Sequence, residues 1–422
     1  MKISVITPFP KTHEAFIGEA YQSLLGQTFS NWEWVLVENR GGVVPDEIRL
    51  DARVVIVPGE DDSGPRNSIG RLKKLGAGVS TGDVILELDA DDILTADCLK
   101  EVAVAIPGRA MVYSNSAEFK HETWESSSYS EYWGWRWRPF EYRGHNLREM
   151  IAWEPSPHMM RFVFWAPNHV RAWDRMAYFG IGGHDENVVV GDDHELCCRL
   201  YVKYGDSGFR HIDKCLYLYR IHENNSCRVW NGDVQKQTEK NYCRYSRDMA
   251  TRWARDKEYL LVDLGGRFGA WDGYKTIDRF PPANIIADLD ERWPMADNSV
   301  GVLRASHVFE HLKDSVHTMN EAYRVLVPGG WLFLEVPSTD GRGAFQDPTH
   351  KTFWNENSIW YYTKSEYAKY IIPGYTGRFQ ESRVVTYFPN EFFREHNIPI
   401  VQADLIALKP PYDERPPGGA RI

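Results

Sequence analysis

Short apolar runs alternate with stretches of helical spacing through the first 120 residues of this 422-residue chain. Lys2 to Thr7 is a β-branched run closed by Pro8 and Pro10. From about His13 to Gly26, Ala15, Phe16, Ala20, Leu24 and Leu25 recur at helical spacing. Trp34–Val37 and Arg53–Val57 read as the next strands, and about Asn67 to Ala77 as a second helix. Val84, Ile85, Leu86 and Leu88 form a strand-length run broken only by Glu87, and Ala110–Ser114 is a further strand. This alternation predicts an α/β fold with a mostly parallel sheet and right-handed crossovers.

Three carboxylates, Asp89, Asp91 and Asp92, arrive where the Val84–Leu88 run ends. Ligands of open α/β sheets sit at the carboxyl ends of the strands, so a buried strand presents these acids at a crevice. A divalent cation would relieve their mutual repulsion. An acidic turn with Asp92 capping the next helix accounts for this segment equally well.

A polar stretch of helical character from about Val229 to Lys257 separates this region from a second α/β pattern that begins at Tyr259–Leu264. A boundary near 250, inside a helix, divides the chain into 1–250 and 251–408, followed by a Pro/Gly-rich tail over 409–422. The tail composition suits a disordered segment or an arm on a partner.

Composition narrows the function classes. A hydrophobic fraction of 43% and a charged fraction of 26% describe a soluble globular protein. A net charge of -10 argues against nucleic acid as the main partner. No apolar run reaches membrane-spanning length, and the first residues read as a strand and not as a signal peptide. The cysteines at 98, 197, 198, 215, 227 and 243 form no CxxC pair, which fits reduced thiols in the cytoplasm. The chain holds 16 Trp and 22 Tyr. Trp133, Trp135 and Trp137 alternate with Gly134, Arg136 and Arg138, so an extended chain puts three indoles on one face. That face suits a sugar ring, a packed hairpin or a subunit contact.

Tyr21-Gln-Ser-Leu-Leu-Gly-Gln-Thr28, Asn31-Trp-Glu-Trp-Val-Leu-Val37, Thr81-Gly-Asp83 and Leu88-Asp-Ala-Asp-Asp92 follow one another in an order that resembles the family-two glycosyltransferases of the GT-A fold. Gly191-Asp-Asp-His-Glu-Leu-Cys-Cys-Arg-Leu200 is similar to that family's catalytic helix phrase, and Tyr219-Arg-Ile-His222 to its last metal-site segment. The resemblance runs from residue 1 to about 228. It implies an N-terminal nucleotide-diphospho-sugar transferase domain, Rossmann-like, with Asp193 as catalytic base and Asp91 and His222 on Mn²⁺ or Mg²⁺. Pro8, Glu38, Asn39, Arg66 and Asp89 would bind the nucleotide-sugar donor. Gly182, Gly183, Asp192, Trp133 and Trp135 would face a glycan or protein acceptor. The second strand ends in Glu38-Asn39 where the family usually has an acidic pair. Without the resemblance, Asp192 and Asp193 need do no more than favour a helix dipole.

Asp263-Leu-Gly-Gly-Arg-Phe-Gly269, Thr276-Ile-Asp278, Ile286-Ala-Asp-Leu289 and Arg324-Val-Leu-Val-Pro-Gly-Gly330 resemble class I methyltransferases dependent on S-adenosylmethionine, from about 256 to 400. This second resemblance implies another Rossmann domain with Asp263, Gly265, Gly269, Asp278 and Asp288 around the cofactor. Arg267 replaces the family's central glycine, and few residues remain after Gly269 for the usual first helix. His307-Val-Phe-Glu-His311 matches the inverted zinc-protease string, but the phrase Ala305–Leu312 is also what methyltransferase-like domains carry after their fourth strand.

Together these readings describe a metal-dependent inverting glycosyltransferase fused to a methyltransferase-like module. That module either caps the added sugar by O-methylation or is degenerate and recruits or packs. A nucleotidyltransferase of the same architecture and a non-catalytic glycan-binding scaffold are the alternatives. A homo-oligomer is left open.

Overall fold

A computed structural model describes residues 1–59, 69–131, 134–161, 169–223, 225–267 and 271–410. Arg66, Trp133 and Gly269 lie outside these residues, as does the tail beyond 410. The chain divides into two compact units at Tyr245/Ser246, within the helix Asn231–Asp256.

The N-terminal unit carries ten strands: β1 (Ile3–Pro10), β2 (Trp32–Asn39), β3 (Val54–Pro58), β4 (Val84–Glu87), β5 (Ile93–Leu94), β6 (Met111–Lys120), β7 (Trp137–Tyr142), β8 (His145–Met150), β9 (Arg171–Asp174) and β10 (Phe209–Ile221). They lie in the order β3-β2-β1-β4-β9-β6-β10-β5, with the β7–β8 hairpin beside β6. The first four are parallel. β6 and β10 are parallel as well, but the expectation of a mostly parallel sheet fails between and beyond these groups: β9 runs antiparallel to both β4 and β6, and β5 antiparallel to β10. β1 and β2 are buried along nearly their whole length, as suits strands covered on both faces. Gly76 of the helix Ile69–Val79 lies so close to the sheet that a Cβ there would meet Ile6 Cγ2 at 2.6 Å.

Two polar ties fix the carboxyl end of β1. Thr7 Oγ1 donates to the Leu88 carbonyl at 2.6 Å and accepts from Trp34 Nε1 at 2.8 Å. The turn that carries Asp89 therefore hangs from the buried sheet.

At the opposite end, Glu33 accepts from Lys2 Nζ (2.5 Å), Ser4 Oγ (2.6 Å), Thr81 N (2.6 Å) and Thr81 Oγ1 (2.8 Å). Burial would raise its pKa, but these donors outweigh burial and hold it at about 2 against an ordinary 4.5. The folded-state pKa is depressed, so this stabilisation is complete above pH 4.5 and is lost as pH falls towards 2. It amounts to at most about 3 kcal/mol. Glu33→Gln is expected to flatten the acid limb of a stability–pH profile over that window, as measured by urea unfolding; an unchanged limb would contradict this reading.

The C-terminal unit holds β11 (Leu260–Leu264), β12 (Lys275–Asp278), β13 (Ile285–Ile286), β14 (Val300–Ser306), β15 (Leu326–Pro337), β16 (Phe379–Tyr387) and β17 (Ile400–Ala407). Their order is β13-β12-β11-β14-β15-β17-β16, parallel through β15, after which β17 and β16 are antiparallel. Leu264, Ile277, Leu303, Leu334 and Ala403 are core residues between the faces of this sheet and its helices. Among the described residues no helix connects β11 to β12.

Candidate functional site

The acids after β4 have three different environments. Asp92 is fully buried; its carboxylate accepts from Tyr217 Oη at 2.7 Å and from the Arg220 backbone N–H at 2.7 Å. It therefore anchors the turn to β10. The alternative reading of Asp92 as the next helix's cap is corrected, because the helix Cys98–Ala105 begins after Asp97. Asp89 is half-buried, and among the described residues its carboxylate accepts no hydrogen bond. Burial, with the charges of Asp91 and Glu87 adding, raises its pKa despite the opposing pull of Lys73 and Arg171.

Asp91 faces two imidazoles. His222 Nε2 lies 2.8 Å from Asp91 Oδ2, and His13 Nε2 lies 3.9 Å from the same oxygen. The two rings stand edge to face, with centroids 5.8 Å apart. Burial alone would raise the Asp91 pKa; the His222 hydrogen bond and the charges of His13 and His222 outweigh it and hold the carboxyl below its ordinary range. One ligand atom from each of His13, Asp91 and His222 falls within 4.8 Å of the others. A carboxylate and two imidazoles form a donor set that fits a divalent cation. Arg220 completes the frame: Nε donates to the Asp91 carbonyl at 2.6 Å, and its guanidinium lies between Phe16 and Phe119, at 4.9 and 4.8 Å from the ring centres.

A buried ionic network joins this turn to the helix Asp192–Tyr204. Glu87, the last residue of β4, is opposed across the sheet by Arg171, the first of β9. Arg171 Nε lies 3.0 Å from Glu87 Oε2, and its NH1 pairs with Asp193 Oδ2. Lys73 Nζ sits 2.9 Å from Glu87 and 3.2 Å from Asp192, while His184 Nε2 is 3.0 Å from Glu87. Burial would raise the Asp193 pKa, but Arg171 and Lys73 prevail and lower it. Arg171 also pulls against the raised pKa of Asp89, so one guanidinium acts on both acids. Leu196 and Leu200 are fully buried and turn the first turn of the helix, with Asp193 at 29% side-chain exposure, towards solvent.

The other expected donor and acceptor residues divide into open and occupied groups. Pro8 is buried opposite Val37. Glu38 accepts from the Val44 N–H at 2.9 Å and from Arg49 at 2.8 Å, so its carboxylate holds the following loop. Asn39 is buried, and its Oδ1 has no hydrogen-bond partner among the described residues. Asp192 is corrected from an acceptor contact to a buried member of the ionic network. Trp135 is likewise corrected: it is 8% exposed, stacked on Tyr129 and Trp137 and packed on Trp153. Gly183, at φ +66°, lies so close to Tyr178 that a Cβ would meet the ring at 2.7 Å, whereas Gly182 faces open space. His13 and the Lys73–Glu87–Arg171 network carry no mark in the sequence. His13 sits in a 3₁₀ turn, Lys11–His13, and the network joins residues remote in the chain.

In the C-terminal unit the expected cofactor acids have protein partners. Asp263 is buried, and both its oxygens accept from Arg304 NH1 at 2.9 Å. Asp288 pairs with Arg279 at 2.6 Å. Both acids are therefore ion-paired. Asp278 accepts from the Phe280 N–H at 2.9 Å. Arg267 Nε donates to the Pro281 carbonyl at 2.7 Å, and its guanidinium lies over Phe280. Gly265, at φ +68°, is required where a Cβ would meet Val308 at 2.3 Å. Arg304 and Arg279 thus pair with two of these acids and Arg267 lies over the loop, while Asp278 accepts from a backbone N–H.

Residues 4–164 match the family model of Glycosyl transferase family 2, and residues 244–334 that of a Methyltransferase domain. The chain is similar to the O-antigen biosynthesis protein RfbC of Myxococcus xanthus, with 23% identity over 227 residues. That stretch is 52% of this chain and 16% of that protein's length. Among solved structures, S. aureus TarS 1-349 is similar at 16% identity and a TM-score of 0.41, over 60% of this chain and 71% of that one. The same protein in complex with UDP-GlcNAc matches at 14% identity and 0.41, over 61% and 74%. The N-terminal unit has a GT-A-like fold and the C-terminal unit a Rossmann-like methyltransferase fold. No helix among the described residues is long and apolar enough to cross a membrane.

Proposed function

We propose that the N-terminal unit, which contains the glycosyl transferase family 2 match, is a metal-dependent inverting glycosyltransferase. It moves a sugar from a nucleotide-sugar donor to a hydroxyl of a glycan or protein acceptor. The observation that carries this reading is the convergence of His13, Asp91 and His222 on one point, with Asp193 and Asp89 under the charge of the same Arg171. His13, Asp91 and His222 would hold Mn²⁺ or Mg²⁺. When bound, that ion neutralises charge on the departing diphosphate.

The chain's own residues do the rest. Asp193 accepts the proton of the acceptor hydroxyl as its oxygen bonds to the anomeric carbon and the carbon–oxygen bond to the diphosphate breaks. Arg171 keeps Asp193 ionised and fixes its orientation. Asn39 Oδ1, a buried acceptor with no partner among the described residues, would read a donor N–H. A thermal-shift screen of sugar nucleotides with Mn²⁺ tests the assignment. A donor at 100 times its Kd is expected to stabilise by about 2.7 kcal/mol. Failure of every donor to shift the transition would contradict it.

The C-terminal unit has a structural or acceptor-recruiting role in this reading, because Arg304 and Arg279 occupy its acids. Calorimetry of the full chain with S-adenosylhomocysteine is expected to show weak binding or none. Micromolar binding that Asp278→Ala removes would establish a working methyltransferase pocket instead.

A further inference from the structure

Outside the transferase site, the C-terminal unit contains a second convergence of Lewis bases. One ligand atom from each of Glu310, His311 and His350 lies within 4.8 Å of the others. Glu310 is 2% exposed, and neither carboxylate oxygen has a hydrogen-bond donor among the described residues. His307 Nδ1 approaches Oε1 to 3.4 Å without hydrogen-bond geometry. A buried carboxylate with no donor, and with no Lys or Arg within 4.0 Å among the described residues, is unfavourable unless a cation occupies its lone pairs.

The hydrogen bonds of the two imidazoles fix which ring nitrogen keeps a lone pair. His350 Nδ1 lies 2.8 Å from the Ala344 carbonyl, which can only accept, so Nδ1 carries the proton and Nε2 the lone pair. Thr349 Oγ1 donates its one hydrogen to Asp347 at 2.7 Å. The 3.0 Å contact between Thr349 Oγ1 and His311 Nδ1 must then be an N–H donation from the ring, which leaves the His311 Nε2 lone pair free as well. Asp347 Oδ2 lies 3.9 Å from His350 Nε2, too far for a hydrogen bond. The backbone is already in place: Lys351 N and Thr352 N both donate to the Glu310 carbonyl, at 2.7 and 3.1 Å. Thr352 Oγ1 donates to the Phe309 carbonyl at 2.8 Å. The segment bearing His350 is therefore clamped to the turn bearing Glu310 and His311.

We propose that Glu310, His311 and His350 form a second divalent transition-metal site, of the Zn²⁺ type, beyond the carboxyl end of β14. Two imidazoles and one carboxylate are a ligand set that zinc accepts with a fourth position open. This is not the arrangement the His307–His311 string would give in a zinc protease, where both histidines lie on one helix face. Phe309–His311 is a 3₁₀ turn, and the second imidazole comes from His350, 39 positions on by residue number. The site is independent of the glycosyltransferase reading.

The test uses the full chain carrying Asp91→Ala and His222→Ala, so that the first site is silent, stripped by chelation and titrated with Zn²⁺ in a calorimeter. One equivalent is expected to bind, and to be lost on adding Glu310→Gln or His350→Ala. Co²⁺ is expected to give a visible spectrum that Zn²⁺ abolishes. Thr349→Val, at an exposed position, keeps the test decisive should the His350 variant fail to fold; it is expected to weaken binding by about 10- to 100-fold. No Zn²⁺ uptake by the doubly substituted chain, or uptake that survives loss of both His311 and His350, would overturn the proposal.

Discussion

Asp193→Asn is expected to slow sugar transfer by roughly 10²- to 10⁴-fold while donor affinity stays nearly intact. The amide keeps the shape of the carboxylate but cannot accept the acceptor's proton. Steady-state kinetics with donor and acceptor varied separately measure both quantities. Equal losses of donor affinity and rate would make Asp193 a structural or donor-binding residue. The pH profile carries a second readout. Asp193 is held below the ordinary carboxylate range by Arg171 and Lys73 against its burial, so it stays ionised through neutral pH. Arg171→Gln removes one of those charges and is expected to raise the Asp193 pKa, moving the acidic limb of kcat/KM upward. A limb that stays in place would detach Arg171 from the base.

Asp91→Ala is expected to abolish metal-dependent donor binding while the fold survives. The fold should survive because the turn is held by other groups: Asp92 by Tyr217 and the Arg220 N–H, and Leu88 O by Thr7. Removing the carboxylate leaves only His13 and His222, and a hard cation loses its one anionic ligand there. Calorimetry with Mn²⁺ and a sugar nucleotide, beside circular dichroism, separates binding from folding. Donor and Mn²⁺ affinities equal to those of the unsubstituted chain would show that the site assignment is wrong.

Much of this architecture can be read from local pattern. The β-branched runs of β1 to β4 and the Leu196/Leu200 spacing are signals within one element, and the structure places strands and a helix there. The two family resemblances, read over 1 to about 228 and about 256 to 400, overlap the matches over 4–164 and 244–334, and the phrases that carry Asp193 and His222 lie beyond the first match. What escaped the sequence depends on distance. β9 inserts antiparallel between β4 and β6 because residues far apart in the chain pair, and hydrophobic periodicity does not report strand direction. Lys73, Glu87 and Arg171 look like separate polar residues until the sheet brings them within 3.0 Å. By its spacing His13 starts a helix, yet in the structure it ends a 3₁₀ turn beside Asp91. Trp135 lies in an extended run whose alternation suggests an exposed platform, but Tyr129 and Trp153 cover it. Asp263 and Asp288 occupy cofactor positions in the pattern; the arginines that pair with them come from other positions in the chain.

Sugar-nucleotide turnover is expected to depend on a cation held by His13, Asp91 and His222. Release of nucleoside diphosphate from a panel of sugar nucleotides, followed with Mn²⁺ and again with a chelator, tests it most directly. At least one donor is expected to turn over with Mn²⁺, even as slow hydrolysis without acceptor, and to stop on chelation and in Asp91→Ala. Turnover that continues unchanged in the chelator, or that Asp91→Ala leaves intact, would contradict the account.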